Sequence, residues 1–151
     1  MTAEIICVGT ELLLGDIVNT NAQFLSRELA ELGISVLHQH VIGDNPGRLR
    51  DLVKEAKSRS DLLVFSGGLG PTEDDLTKET VAGVFGLALE YHPEVMEEIQ
   101  QYFDRVFHRP MPACNRQQAM LPQGCTVLHN PVGTAPGCAF EEGGVHVLMP
   151  V

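Results

Sequence analysis

The residues of this sequence best suited to chemistry lie in a glycine-rich loop, residues 67–75. Gly67, Gly68 and Gly70 have no Cβ, so their backbone amides can approach an anion closely. A helix is expected to follow from about Asp75, and its N-terminus favours negative charge. Thr72 can cap that helix or donate to a phosphate. The loop matches neither GxxxxGK[ST] nor GxGxxG, so it predicts a phosphate site of another kind, with a simple tight turn as the alternative.

Four carboxylates stand close to the ends of expected strands. Asp74 and Asp75 can accept hydrogen bonds from a ligand or hold a divalent metal ion, and Glu11 can bind a metal or ligand or brace its loop. Asp44 can face the same ligand or cap the helix that begins at Pro46. Two carboxylates that bracket a pocket, Asp44 and Asp75, together with a cation would be able to activate water on a phosphoanhydride.

Strand and helix patterns alternate along the chain and predict the frame that positions these residues. Short apolar runs predict strands at residues 4–8, 34–42, 61–66 and 124–128. Apolar residues at helical spacing predict helices at residues 19–32, 46–60, 75–85 and 93–107. Residues 141–144 carry a hairpin signal between two further strands. The βαβαβ order predicts an α/β fold with a parallel sheet and helices on both faces.

Four polar or glycine-bearing segments follow the expected strands: residues 9–11, 43–44, 67–75 and 130–137. Ligands of an open parallel sheet bind beyond the carboxyl ends of its strands, so these segments are predicted to meet at one edge. In the last of them, Asn130 and Thr134 offer hydrogen bonds, and Gly133 and Gly137 permit close approach. A rigid turn that only orders the neighbouring hairpin is the alternative. His129 borders this segment and is a further candidate for ligand binding.

The length, charge and composition of the chain limit the classes of protein to which it can belong. The 151 residues suit one domain, residues 1–151, and the net charge of −10 disfavours nucleic acid and membrane surfaces as partners. The absence of a basic leader and of a long apolar run predicts a cytoplasmic protein. The four cysteines form no CxxC pair and are expected to be free thiols. Because the sequence stops close to a strand, at Met149, Pro150 and Val151, we expect a longer protein, truncated at its C-terminus.

Three motifs, in order, resemble those of the N-terminal domain of the CinA (competence/damage-inducible) family. They are residues 9–15 with 19–21, residues 67–72 with Asp74, Asp75 and Thr77, and Asn130 with residues 133–137. The resemblance extends to the molybdopterin-binding superfamily of MoaB and MogA. It implies a three-layer α/β/α fold whose mostly parallel sheet has an antiparallel last strand. It also implies that Asp44 and Asp75 fall where two aspartates matter in MogA-like proteins.

The resemblance further implies an ADP-ribose pyrophosphatase that requires a divalent cation (Mg, Co or Mn) and potassium, and a homo-oligomer. The alternatives are a non-catalytic module for molybdopterin or a nucleotide, and a molybdopterin adenylyltransferase; a purely structural oligomerisation domain ranks last. We expect a metal at Glu11, Asp74 and Asp75 and catalysis by Asp44 and Asp75. The residues expected to bind the phosphorylated nucleotide or pterin are Gly9, Thr10, Glu11, Gly67, Gly68, Leu69, Gly70, Pro71, Thr72, Asn130, Gly133, Thr134, Ala135, Pro136 and Gly137.

Overall fold

The structure, a computed structural model, describes all 151 residues and contains eight strands and five α-helices. The strands are β1 (Thr2–Val8), β2 (Ser35–Ile42), β3 (Leu62–Ser66), β4 (Leu89–Tyr91), β5 (Met120–Pro122), β6 (Thr126–Leu128), β7 (Gly137–Glu142) and β8 (Val145–Met149). The helices are α1 (Thr10–Leu14), α2 (Thr20–Glu31), α3 (Pro46–Ala56), α4 (Thr77–Val84) and α5 (Pro93–Tyr102). None of the helices has the length and apolarity that a bilayer crossing requires.

Six strands form the main sheet in the order β2-β1-β3-β8-β7-β6. β1 pairs in parallel with β2 and β3, and β3 pairs in parallel with β8. The antiparallel pairings are β8 with β7 and β7 with β6, so β7 runs against the other five strands. The predicted α/β sheet, mostly parallel with an antiparallel edge, is confirmed, and so is the predicted hairpin.

Both faces of the sheet are covered by helices, which confirms the three-layer arrangement. Along β1, Ile5 and Cys7 pack toward α2, where Leu29 is buried with them. The alternate residues Ile6 and Val8 belong to the larger core on the other face, with α3, α4 and α5. This two-sided burial explains why the first and third strands have continuous apolar sequences.

The capping residues and first residues of the helices differ in part from those predicted. Asn19 caps α2 by accepting from the Ala22 amide at 3.2 Å. Asn45, not Asp44, caps α3, so the capping alternative for Asp44 was wrong. The helix predicted from Asp75 begins at Thr77, and Thr72 is not its cap.

Several elements were not predicted. α1 occupies part of a segment expected to be a loop, and β4 and β5 form a separate antiparallel pair. The helix expected over residues 93–107 is α-helical only to Tyr102 and continues as a π-helical turn, Phe103–Phe107. A 3₁₀ segment, Ala113–Ala119, directly precedes β5.

A buried ion cluster fixes α3 to the sheet. Glu4 is fully buried on β1, and its carboxylate accepts from Arg59 Nε at 2.7 Å and from Ser60 Oγ at 2.8 Å. His40 Nε2 lies 2.8 Å from the same carboxylate. These hydrogen bonds, that from Arg59 foremost, outweigh burial and lower the pKa of Glu4 to about 2.

Candidate functional site

The sheet topology brings the four predicted segments to one edge. The carboxyl ends of β2, β1, β3 and β8 all point to this edge because these strands run in parallel. β6 runs in the same direction, since both β6 and β8 are antiparallel to β7. The residue ranges 9–11, 43–44, 67–75 and 130–137, each of which follows one of these strands, therefore share the edge.

Hydrogen bonds join the 9–11 and 43–44 segments directly. The Gly9 amide donates to the Ile42 carbonyl at 2.8 Å. Asp44 Oδ2 accepts from the Thr10 amide at 3.3 Å and from the Thr10 hydroxyl at 3.2 Å. Asp44 Oδ1 accepts no hydrogen bond from the protein and stays available to a ligand or cation.

The 67–75 loop presents a row of unused backbone donors. The amides of residues 67–70 donate to no protein acceptor. The carbonyls beside them are occupied, because the Thr77 amide donates to the Gly68 carbonyl at 3.2 Å and the Thr77 hydroxyl to the Gly67 carbonyl at 2.9 Å. Gly67 and Gly68 have φ values of 92° and 70°, which favour glycine, and a Cβ would collide with Val8 or Thr77. Successive free amides in a turn can together bind an anion, so this loop is a candidate anion site.

Asp75 braces the same loop from its far end. Its Oδ2 accepts from the Thr72 amide at 2.9 Å and from the Thr72 hydroxyl at 2.6 Å. Asp75 Oδ1 accepts no hydrogen bond. Asp44 and Asp75 thus play matching parts, since each holds a threonine through one oxygen and leaves the other oxygen open.

A support that the sequence did not reveal holds the 67–75 loop in place. Gln117 Nε2 donates to the Gly70 carbonyl at 3.1 Å and to the Thr72 carbonyl at 2.8 Å. Lys78, buried in α4, donates from Nζ to the Gln117 carbonyl at 2.7 Å. Burial lowers the pKa of Lys78. Gln117 is about forty residues from the loop in sequence, so no motif connects the two.

The 130–137 loop is ordered from within. Asn130 Oδ1 accepts from the Val132 amide at 3.0 Å, and Asn130 Nδ2 donates to the Ala135 carbonyl at 2.9 Å. The amides of residues 133–135 have no protein acceptor. A Cβ at Gly137 would collide with the Met149 carbonyl, so that glycine serves the packing of β7 on β8. The loop is therefore braced internally and leaves three backbone donors free.

Two adjoining cavities open at this edge. One, of about 260 Å³, lies between α2 and the 67–75 and 130–137 loops, and Gly67, Leu69, Asn130 and Ala135 line it. The other, of about 150 Å³, is lined by Glu11 and by the start of α2. Asn21, Ser66 and Gly67 border both cavities. The two cavities thus share a wall, and together they are bordered by residues of three of the four segments.

Residues outside the predicted set also contribute to these walls. Phe24, 61% exposed on α2, lines the larger cavity, and Asn21 Nδ2 donates to Ser66 Oγ at 2.9 Å. Helical periodicity assigned α2 to packing, and only its position at the sheet edge makes these side chains part of the site. The largest groove on the surface, about 650 Å³, lies elsewhere, between α2 and β2, and contains none of the predicted site residues.

The remaining predicted residues fall into two groups. Pro71, Gly133, Thr134 and Pro136 line two other grooves, both bordered by Tyr102 at the end of α5. The members that support the loops or face solvent are Gly9, Thr10, Gly68, Gly70, Thr72, Asp74 and Gly137. No three His, Cys, Asp or Glu side chains lie close enough to hold a metal ion, so Glu11, Asp74 and Asp75 form no three-ligand cluster. His129 Nδ1 lies 3.0 Å from Glu98.

Comparison with known proteins agrees with the resemblance noted in the sequence. Residues 4–150 match the family model described as "Probable molybdopterin binding domain". A CinA-like protein of Trichormus variabilis is 56% identical over 141 residues, which is 93% of this chain and 34% of that protein. The chain spans about a third of the length of the curated relatives it matches.

Solved structures extend the likeness to the fold. The protein CinA from Thermoplasma acidophilum is 35% identical and superposes with a TM-score of 0.89, covering 100% of this chain and 90% of that one. MoaB from Thermus thermophilus, a molybdopterin biosynthesis enzyme, is 19% identical with a TM-score of 0.59, covering 98% of this chain and 79% of its own. At that identity the second likeness shows a common fold alone.

Proposed function

The chain belongs to the molybdopterin-binding domain family, in its CinA-like branch, and on this premise we propose that it binds a phosphorylated nucleotide or pterin at the shared sheet edge and hydrolyses its phosphoanhydride. ADP-ribose is the substrate we propose, with AMP and ribose 5-phosphate as products. The proposal concerns this chain, which corresponds to about a third of its curated relatives.

The observation that carries the proposal is the set of unused amides. Residues 67–70 and 133–135 present backbone N–H groups without protein acceptors, and Gly67, Leu69 and Ala135 among them line one cavity between the two loops. Buried or half-buried amides normally find partners, so a cluster of unpaired ones calls for an external acceptor. Phosphate oxygens are suitable acceptors, and amides can bind them despite the net charge of −10.

A divalent cation at this site would be bound by the protein and the substrate phosphates together. No three-ligand cluster exists, whereas Mg²⁺ is commonly held by one or two carboxylates together with substrate phosphates and water. Asp75 Oδ1 is the oxygen that would hold it, because it accepts no hydrogen bond and Asp75 lies against Gly70 of the 67–75 loop. When bound, such a cation polarises the anhydride and makes a coordinated water more acidic.

The chain's own residues supply position and charge for the reaction. The amides of the two loops hold the phosphates in place and stabilise the negative charge that builds up on their oxygens. A water molecule adds to one phosphorus while that phosphorus loses its bond to the bridging oxygen. The proton of the water passes to the open Oδ1 of Asp44, and two phosphate monoesters leave.

A binding module without turnover is the second candidate, and it is favoured because neither Asp44 nor Asp75 lines either of the two cavities. In that case the amides hold the ligand and the two aspartates only brace their loops. Both functions need the same cavity, so binding alone does not separate them.

Product analysis separates the two. The chain is incubated with ADP-ribose and either MgCl₂ or EDTA, and AMP is quantified. We expect AMP only with Mg²⁺, and its loss in Asp44→Asn and Asp75→Asn variants that retain the wild-type circular dichroism spectrum. Asp51→Asn, which removes an exposed carboxylate of α3, is the matched control and should keep full activity. Calorimetric binding of ADP-ribose without any AMP would establish the module instead, and no binding would refute both.

A further inference from the structure

A second groove begins where the two amide-bearing loops end. It has a volume of about 490 Å³, and its walls include Pro71 of one loop and Gly133 and Thr134 of the other. The opposite wall comes from the segment around the π-helical turn, with Tyr102, Phe107 and Arg109. The groove therefore adjoins the proposed phosphate site, and its size is that of a small-ligand pocket.

The backbone of the opposite wall is unusual. A π-helical turn, Phe103–Phe107, is followed by His108 at φ 51°, the one non-glycine residue of the chain with positive φ. Both features cost conformational energy and are concentrated at functional sites in proteins. After this turn, the guanidinium of Arg109 lies over the rings of Phe103 and Phe107.

Arg109 is held by aromatic rings rather than by a carboxylate. Its guanidinium carbon lies 5.8 Å from the ring centroid of Phe103 and 5.5 Å from that of Phe107. It forms no ion pair, although acidic residues outnumber basic ones by 20 to 10 in this protein. No protein group accepts a hydrogen bond from this guanidinium.

The surfaces next to Arg109 are apolar and uncovered. Phe107, on the same wall as Arg109, is 47% exposed. Val132, on the wall formed by the 130–137 loop, is 80% exposed. Tyr102 Oη donates to the Val132 carbonyl at 2.9 Å and so ties the two walls together. Exposed aromatic and apolar surface beside a planar cation suits a flat heteroaromatic ring better than a further phosphate.

We propose that this groove receives the heteroaromatic ring of the ligand, stacked against Arg109 and Phe107, while the phosphates lie on the amides of the two loops. The proposal rests on the proposed function, because it takes the phosphate position from it. In this arrangement, stacking on Arg109 makes the protein bind a nucleotide more tightly than a sugar phosphate that has no ring.

The test compares calorimetric binding of AMP, which has a ring, with binding of ribose 5-phosphate, which has none. Wild type should bind AMP about tenfold more tightly, the size expected for one stacked base. Arg109→Ala should remove most of this preference and leave ribose 5-phosphate binding unchanged. Arg109→Lys should resemble the alanine variant, since it keeps the charge and loses the plane. Arg50→Ala, which removes an exposed and unpaired arginine of α3, should match wild type.

Other outcomes contradict the proposal in distinguishable ways. Equal weakening of both ligands by Arg109→Ala, with rescue by lysine, would make Arg109 an anion contact. An unchanged AMP preference in a variant with wild-type melting temperature would remove the groove from recognition and leave the proposed function intact. Failure of wild type to bind either ligand would refute the proposed function and this inference with it.

Discussion

Replacement of Asp75 by asparagine should change ligand affinity in opposite directions with and without a divalent cation. Asp75 Oδ2 accepts two hydrogen bonds from Thr72, at 2.9 and 2.6 Å, and an asparagine carbonyl can accept both. The loop should therefore keep its shape while one negative charge disappears. Without a cation this charge repels the phosphates, and with a cation it attracts them through the metal.

The size of the effect follows from the position of the carboxylate. A Cβ built on Gly70 would lie 2.6 Å from Asp75 Oδ2, so an anion on the Gly70 amide lies within roughly 8 Å of the charge. At this separation two unit charges interact by about 0.5 kcal/mol in water and about 2 kcal/mol at an effective dielectric constant near 20. An intermediate value of about 1 kcal/mol corresponds to about fivefold in affinity.

Calorimetry with ADP-ribose in EDTA and in MgCl₂ measures this effect. We expect Asp75→Asn to bind about fivefold more tightly than wild type in EDTA and more weakly in MgCl₂. Asp51→Asn should follow wild type in both buffers. Weaker binding of Asp75→Asn in EDTA, or the same shift in both buffers, would refute the reasoning.

Three further predictions concern the frame around the site. Glu4 has a pKa of about 2 in the folded protein, so the unfolded chain binds the proton first as the pH falls. The free energy of unfolding should therefore decrease by about 2–3 kcal/mol between about pH 4.5 and pH 2. Urea unfolding should show this decrease, and it should be smaller in the Glu4→Gln variant. Gly68→Ala should destabilise more than Gly144→Ala, since both glycines have positive φ (70° and 80°) but only Gly68 lacks room for a Cβ; equal melting temperatures would contradict this. Gln117→Ala removes two hydrogen bonds to the 67–75 loop, which should cost about 1 kcal/mol and speed amide exchange in that loop alone; unchanged exchange there would exclude a supporting role.

The sequence predicted the sheet strands and long helices because their signals are local. A continuous apolar run identifies β3, and the capping residues Asn19 and Asn45 stand where α2 and α3 begin. β4 and β5 left no comparable signal, since each has three residues and they pair across about thirty positions. The π-helical turn keeps the helical spacing of α5, so periodicity could not separate it.

The sequence predicted where the candidate site lies in the fold, but not the hydrogen bonds that its residues form. Parallel strands direct their following loops to one edge, and this rule located all four segments. The contacts depend on tertiary packing. Thr72 donates to Asp75 rather than capping α4, which begins at Thr77, and Gln117 reaches the loop from a distant 3₁₀ segment. Such partners carry no sequence motif.

The central claim is that the unused amides of the 67–75 and 130–137 loops bind phosphate, and amide chemical shifts measure this directly. In a titration of ¹⁵N-labelled chain with ADP-ribose, we expect the largest shifts at Gly67, Gly68, Gly70 and Gly133. Unchanged amides in both loops, with shifts confined to the groove between α2 and β2, would contradict the account.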